Sequence, residues 1–378
     1  MRVLQLGKFY PIRGGVEKVM WDLTKGLSEK GVSCDMLCAR LKSGKTDPDD
    51  RQYQVGDTDF KFNDHGSVHC VRAIAKVAGT MIAPSMIGWL ASHHKDYDII
   101  HIHHPDPMAA LALKFSCFRG KVVLHWHSDI LSQKAWLTLY RPLQNWLIKR
   151  ADVIIGTTPV YIGSSPWLRG CTKKCTVVPI GIDPIIPDKS KVEALRGRFA
   201  GKVLLLTIGR LVPYKGLSFL IDAMKVLPLE YHLIIGGGGP LEKDLKEQVA
   251  KGGLGGRITF TGFIPQEEIP AYFGACDVFI LSSIMKTEAF GIVQLEAMSC
   301  GKPLVATKIP GSGVAWVNAD GISGKNAEPA DAESLAGAIL EVSGNKEGYG
   351  KGARERYERH FTKEKMIHSI LNVYENLL

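Results

Sequence analysis

Glu288 and Glu296 stand eight residues apart, with Ala289-Phe290-Gly291 after the first and Ile292, Val293, Leu295, Ala297 and Met298 at helical spacing. Thr287 or Glu288 is placed to cap such a helix, and Gly301-Lys302-Pro303 is placed to end it. A helix start offers unpaired N–H groups and partial positive charge to an anion. Glu288 is expected before the first turn and Glu296 about two turns in. Two carboxylates so spaced would reach the two ends of an elongated polar ligand. A capping Glu and a solvated Glu on an ordinary amphipathic helix fit this segment equally well.

Other polar residues collect where apolar runs end. Val203–Ile208 reads as a strand and runs into Gly209-Arg210, with Lys215-Gly216 five residues further on. Arg grips phosphate oxygens bidentately and Lys acts as a point charge, so the pair suits a diphosphate whose charge grows as a bond breaks. Two solvated surface cations are the alternative. Gly14 and Gly15 sit between the first strand and a helical pattern, where backbone N–H groups can approach a phosphate, or simply turn the chain. Neither a dinucleotide fingerprint nor a Walker loop is present. The run Gly236–Gly239 is open to the same two readings. His127 closes the strand around Val123–His125 and is placed to act on a polar, sugar-like group. Alternation puts His101 and His103 on one face of the neighbouring strand. A metal cluster is conceivable there, but packed or substrate-contacting rings are the commoner outcome, and no metal is expected.

These residues need two scaffolds. Strand patterns at Val3–Leu6, Ser33–Cys38, Ile99–His103, Val122–His125, Val153–Gly156 and Thr176–Pro179 alternate with helical ones. A second series follows at Val203–Ile208, His232–Ile235, Ile258–Phe260, Val278–Leu281 and Leu304–Ala306. Alternating strands and helices predict α/β domains with doubly wound parallel sheets. The expected organisation is an N-terminal domain over 1–184, a linker over 185–200, a C-terminal domain over 201–356, and a last helix over 357–378 placed to pack back on the N-terminal domain. Ligands of such sheets bind outside the carboxyl ends of the strands, so two facing domains would share one cleft.

Composition narrows the function. The 378 residues carry 45% hydrophobic residues and a net charge of +9. Residues 1–184 hold 24 Lys and Arg against 16 Asp and Glu, whereas 185–378 hold 23 against 22. The basic excess therefore lies in the first half and suits an anionic acceptor or membrane surface. No nucleic-acid module accompanies it. The opening residues read as a strand and not a signal peptide. The uncharged stretch 77–94 is interrupted by Pro84 and polar residues and is not expected to span a membrane. Eight cysteines without C-x-x-C pairs fit a reduced, cytoplasmic protein.

Taken together, Gly14-Gly15-Val16-Glu17, His127, Gly209-Arg210 with Lys215-Gly216, Gly236–Pro240, Gly262-Phe263 and the E-x7-E run from Glu288 to Glu296 resemble the retaining glycosyltransferases of family 4. The resemblance covers nearly the whole chain and implies the GT-B architecture, two Rossmann-like domains facing across a cleft. It further implies that Gly14 and Gly15 approach the donor phosphate and that Arg210 and Lys215 hold the diphosphate. Glu288, with the amides around Phe290, Gly291 and Ile292, would bind the transferred sugar. Glu296 would hold the ribose, Phe263 and Ile264 would lie near the base, and His127 would pack against the donor sugar. Transfer with retention, a nucleotide-sugar co-substrate and neither cofactor nor metal are implied. The wording of the two longest motifs is similar to bacterial surface-polysaccharide mannosyltransferases. GDP-mannose is thus the first donor expected, a UDP-sugar the second, and a saccharide or lipid-linked saccharide the acceptor. The stretches Ile82–Leu90 and Trp136–Lys149 are candidate contacts with the inner membrane face, or core-facing helices. A nucleotide-sugar epimerase and a non-catalytic nucleotide-sugar-binding protein are the rivals.

Overall fold

The computed structural model describes residues 1–10, 12, 15–41, 59–77, 80–130 and 134–378, with backbone alone for 134–137. Gly14 and the Trp136 side chain thus lie outside the described residues. Contacts divide the chain into two compact units. The first comprises 1–157, 165–180 and 363–378, and the second comprises 158–164 and 181–362.

The first unit is built on β1 (Arg2–Phe9), β2 (Ser33–Leu41), β3 (Asp59–Asn63), β4 (Gly66–Ala73), β7 (Ile99–His104), β8 (Lys121–Trp126), β9 (Val153–Gly156) and β10 (Cys175–Val177), with a small hairpin of β5 (Ala75–Val77) and β6 (Thr80–Ile82) between. The sheet order is β10-β9-β8-β7-β1-β2-β4-β3, parallel except for the β3–β4 pair. The second unit holds β11 (Val203–Ile208), β12 (Tyr231–Gly236), β13 (Ile258–Gly262), β14 (Val278–Ile280), β15 (Leu304–Thr307) and β16 (Gly324–Ala327) in the parallel order β13-β12-β11-β14-β15-β16. Its central strands are apolar on both faces because helices cover both: Leu204, Leu205, Leu206, Val278, Phe279 and Ile280 are all fully buried.

Two expectations need correction, a third resolves between its two readings, and three strands of the two large sheets were not expected. The charged segment 185–200 is not a linker. Asp188 caps a helix over Lys189–Gly197 by accepting from the amides of Ser190 and Lys191. Arg196 of that helix donates to Asp277 Oδ2 at 2.7 Å. The tail is not one helix from Tyr357. One helix, Lys346–His360, ends where Phe361 turns inward to full burial, and another, Lys363–Glu375, belongs to the first unit. Of the two readings of Ile82–Leu90, the structure supports a core-facing helix, Ser85–His93. Met86 and Leu90 are buried in the core, and Trp89 stacks on His93 at 4.2 Å. Finally, β3, β4 and β16 carry no long apolar run. Polar bonding holds β16 instead, where Asn326 Nδ2 donates to the Asn318 carbonyl at 2.8 Å and the Asn326 backbone N–H donates to Asp320 Oδ1 at 2.7 Å.

Among the described residues no helix is long and apolar enough to cross a membrane.

Asp277 ties this unit together. It accepts from the Leu204 amide at 2.8 Å, from Arg196 at 2.7 Å and from Lys346 at 2.9 Å, with 9% of its side chain exposed. Burial works to raise its pKa, but these bonds win and hold it below the usual carboxylate value. A depressed pKa stabilises the fold above the unfolded value and is lost as pH falls through the folded one. Asp277→Ala should therefore cost about 2–3 kcal/mol at pH 7. The loss should shrink below about pH 4, near the pKa of an unfolded Asp. Urea midpoints of both proteins at pH 7 and pH 3 check this, and equal midpoints at pH 7 would refute it.

Candidate active site

In the second unit the chain winds outward from β11 through β12 to β13, then reverses to β14, β15 and β16. The loops after β11 and β14 therefore diverge at the point where strand order reverses, and such a crevice is where parallel α/β sheets bind ligands. Arg210 and Lys215 follow β11, and Ser282, Ser283 and Glu288 follow β14.

Across this switch point Lys215 Nζ donates to Glu288 Oε2 at 2.5 Å, with only 15% and 13% of the two side chains exposed. Ser283 Oγ donates to the same carboxylate oxygen at 3.0 Å, and Ser282 Oγ donates to the Lys215 carbonyl at 2.9 Å. An ammonium has three donors, and this carboxylate takes one. Arg210 is exposed on the same loop. Thr207, Gly209, Arg210, Lys215 and Ser282 line a recess here.

The run Gly236–Gly239 buttresses that loop. Gly209 donates to the Gly236 carbonyl and Leu211 to the Gly238 carbonyl, each at 3.0 Å. A Cβ on Gly237 would stand 2.1 Å from the Gly209 carbonyl oxygen, so the glycines serve backbone packing.

The helix after Glu288 begins later than its sequence suggests. It spans only Val293–Ser299, with Ile292 as cap and no capping side chain. Gly291 is the reason: its φ of 75° is left-handed and breaks the helical path. Glu296 thus lies in the first turn, not two turns in, and is half-buried. The loop between is pinned by its carbonyls. Ser312 Oγ donates to the Glu288 carbonyl, Gly313 to Ala289 at 2.8 Å, and Gln294 Nε2 to Phe290 at 3.0 Å. The amides of Phe290, Gly291 and Ile292 donate to no backbone carbonyl among the described residues. The amides of Ala289 and Val293 likewise donate to no backbone carbonyl among the described residues, so N–H groups along the whole turn are open to a ligand. The Phe290 ring itself is an anchor, 4% exposed and edge-on to Phe361 at 6.1 Å. Phe263 presents its ring to solvent, 58% exposed just past β13, whereas Ile264 is buried beneath Gly236.

The first unit also reverses direction, between β1 and β7. Lys8, at the end of β1, donates its amide to Asp106 Oδ2 at 2.5 Å and its ammonium to the Pro105 carbonyl at 2.7 Å. Burial lowers the Lys8 pKa and raises those of Asp106 and Glu17. Gly15 opens the first helix and is exposed. His127 follows β8 and is 4% exposed. It belongs to a stack with His101, His103 and His125, all driven well below the usual imidazole pKa by burial, His125 to about 3. Ligand atoms of His101, His103 and His125 fall within 4.8 Å of one another. Hydrogen bonds link them: His101 Nε2 to His125 Nδ1 at 3.2 Å, and His103 Nδ1 to His127 Nε2 at 2.9 Å.

Sequence reasoning missed Ser282, Ser283, Ser312 and Gln294. The Leu281-Ser282-Ser283 run past β14 was a usable signal, since hydroxyls at a strand's carboxyl end sit where ligands bind. Ser312 and Gln294 act on backbone carbonyls and leave no such mark.

Comparison with known proteins gives the family and the fold. Residues 13–185 match the description Glycosyltransferase Family 4, and residues 189–359 match Glycosyl transferases group 1. The chain is 31% identical to the O-antigen chain mannosyltransferase C of Escherichia coli, over 100% of this chain and 99% of that protein. It is 29% identical to the D-rhamnosyltransferase WbpZ of Pseudomonas aeruginosa, over 96% of this chain and 92% of that one. The fold matches that of Anabaena Alr3699/HepE in complex with UDP with a TM-score of 0.79 at 23% identity, all of both chains being covered. Two doubly wound units, a cationic switch-point loop and full-length similarity lead to one assignment: the chain belongs to the family 4 glycosyltransferases and has the GT-B fold.

Proposed function

We propose that this glycosyltransferase moves mannose from GDP-mannose, with retention and without a metal ion, to a saccharide or lipid-linked saccharide in bacterial surface-polysaccharide synthesis. One observation carries the reading: the dry Lys215–Glu288 pair at the switch point, beside the amides of Phe290, Gly291 and Ile292. Arg210 and Lys215 stabilise the diphosphate as its charge grows. Glu288 and the loop amides hold sugar hydroxyls, Glu296 takes the ribose, and the exposed Phe263 ring offers a face to the base. Gly14 and Gly15 approach the phosphates. The bond from the anomeric carbon to the phosphate oxygen breaks, leaving an oxocarbenium-like sugar. The acceptor oxygen bonds to the same face, and a phosphate oxygen of the leaving group takes the acceptor's proton. The basic first half suits an anionic or membrane-borne acceptor at the inner membrane face.

Similarity to a mannosyltransferase over the full chain favours mannose. The D-rhamnosyltransferase favours a second reading, because D-rhamnose is mannose lacking its 6-hydroxyl. A thermal-shift screen with GDP, UDP and their sugars separates guanine from uracil donors. A GDP-mannose complex at 100 times its Kd should gain about 2.7 kcal/mol. Stabilisation by UDP and not by GDP would overturn the donor.

Glu288→Ala would strand the Lys215 charge, which can cost about 3–5 kcal/mol in a buried pair. Glu288→Gln keeps the shape and the Ser283 bond. It too removes the Lys215 counter-charge, so some loss of Tm is expected, but its amide oxygen still accepts from Lys215 and Ser283, and transfer by the folded variant should fall by about 100-fold or more. Arg210 is exposed, so Arg210→Ala tests the leaving-group role without disturbing the core, and a similar fall in kcat is expected. Unchanged turnover in either variant would remove that residue from the reaction. Activity should persist in excess chelator, and loss restored by a divalent ion would show a metal requirement.

A further inference from the structure

The buried histidine layer of the first unit contains more than the proposed reaction uses. It covers one face of three adjacent parallel strands, where Gln5 of β1 is in register with His101 of β7, and His103 of β7 with His125 of β8. Tyr374, from the helix Lys363–Glu375, closes the layer and is fully buried. Donors and acceptors can be followed through it from one amide. Gln5 Nε2 donates to Tyr374 Oη at 3.0 Å, so Gln5 Oε1 is the acceptor for His103 Nε2 at 2.8 Å. His103 therefore carries its hydrogen on Nε2 and has a lone pair on Nδ1. That lone pair faces His127 Nε2 at 2.9 Å, which must then be the N–H. A neutral imidazole has one N–H, so His127 Nδ1 is left as a lone pair. It is a buried atom without a protein hydrogen-bond partner.

The other arm runs the same way. Tyr374 Oη, having accepted from Gln5, donates to His101 Nδ1 at 2.5 Å. His101 Nε2 then donates to His125 Nδ1 at 3.2 Å, which puts the His125 hydrogen on Nε2, the other partnerless end. Burial keeps the four rings neutral, so no second proton upsets the sequence.

We infer that Gln5 and His103 are positioning residues that lock His127 in its Nε2–H tautomer, so that its Nδ1 lone pair accepts a hydrogen bond from a hydroxyl of the donor sugar. The inference rests on a contact between His127 and the donor sugar, the role that the family resemblance implies for this residue. The tautomer matters because a lone pair favours the positive charge that develops on a sugar as its leaving group departs, whereas an N–H in its place opposes it.

Long-range 15N–1H spectra of the full chain, labelled at histidine and assigned with His127→Gln, read the tautomer directly. Wild type should show hydrogen on His127 Nε2 and none on Nδ1. Gln5→Met keeps the volume and removes the acceptor. It should show mixed tautomers at His127 and a fall in kcat of about tenfold with little change in donor KM. An Nδ1–H form in wild type would overturn the relay, as would a folded Gln5→Met protein with the wild-type tautomer. Should Gln5→Met fail to fold, the wild-type spectrum alone decides. A His127→Ala enzyme with undiminished turnover would instead overturn the sugar contact and leave the tautomer result standing.

Discussion

The Lys215–Glu288 pair is the constraint on which the proposed donor site depends. It joins the two loops that diverge at the switch point, and both of its side chains are largely out of water. Such a pair is costly to bury, and replacing it with apolar groups would often stabilise a fold. Its presence at the carboxyl edge of the sheet is therefore better explained by ligand chemistry than by stability. The surroundings agree. Ser283 adds a second donor to the carboxylate, Ser282 fixes the Lys215 backbone, and the glycine run Gly236–Gly239 holds the Arg210 loop from below. The second unit aims its cations by hydrogen-bonding the loops that carry them.

The loop from Glu288 to Ile292 works by the same logic in backbone. Three successive carbonyls are claimed by Ser312, Gly313 and Gln294, which fixes the orientation of the peptide planes. The following helix has only seven residues, so its macrodipole is small and the local N–H groups matter more than the helix as a whole. Fixed amides need no reorganisation when charge appears, which is what makes preorganised donors effective.

Much of this was legible in the sequence, for a physical reason. Buried parallel strands must be apolar on both faces, so β7, β8, β11, β12 and β14 stood out as short apolar runs, and polar residues just beyond them marked the carboxyl edge. Lys215 and Arg210 were found that way, and Glu288 by its eight-residue spacing from Glu296 across a helical pattern. The elements that were missed do not announce themselves by hydrophobicity. β16 reads Gly324-Lys325-Asn326-Ala327 and is held by asparagine bonds. The helix over Lys189–Gly197 has one buried residue, Leu195, and is held by its Asp188 cap and Asp277. The late helix start at Val293 was hidden because a glycine's φ cannot be read from its neighbours. The break at Phe361 was hidden because burial of that ring, against Phe290 and Trp316, is a tertiary effect.

The two units use opposite electrostatics, and the proposed reaction requires both. A departing diphosphate gains negative charge, so the residues facing it should be cations held in a dry site, as Lys215 is. The sugar left behind gains positive charge, so a group touching it should carry no positive charge. A histidine in water would be partly protonated near neutral pH. Burial of His127 among three other imidazoles pushes its pKa far below that range and keeps the ring neutral. Burial alone would leave the tautomer open. The Gln5 amide supplies the missing choice, because it can donate to Tyr374 and accept from His103 at once. Tyr374 comes from a helix more than 360 residues along the chain, so the last described helix completes a polar layer begun by the first strand. A layer of neutral rings with directed hydrogen bonds is the counterpart, for a developing cation, of the charged pair that serves the developing anion.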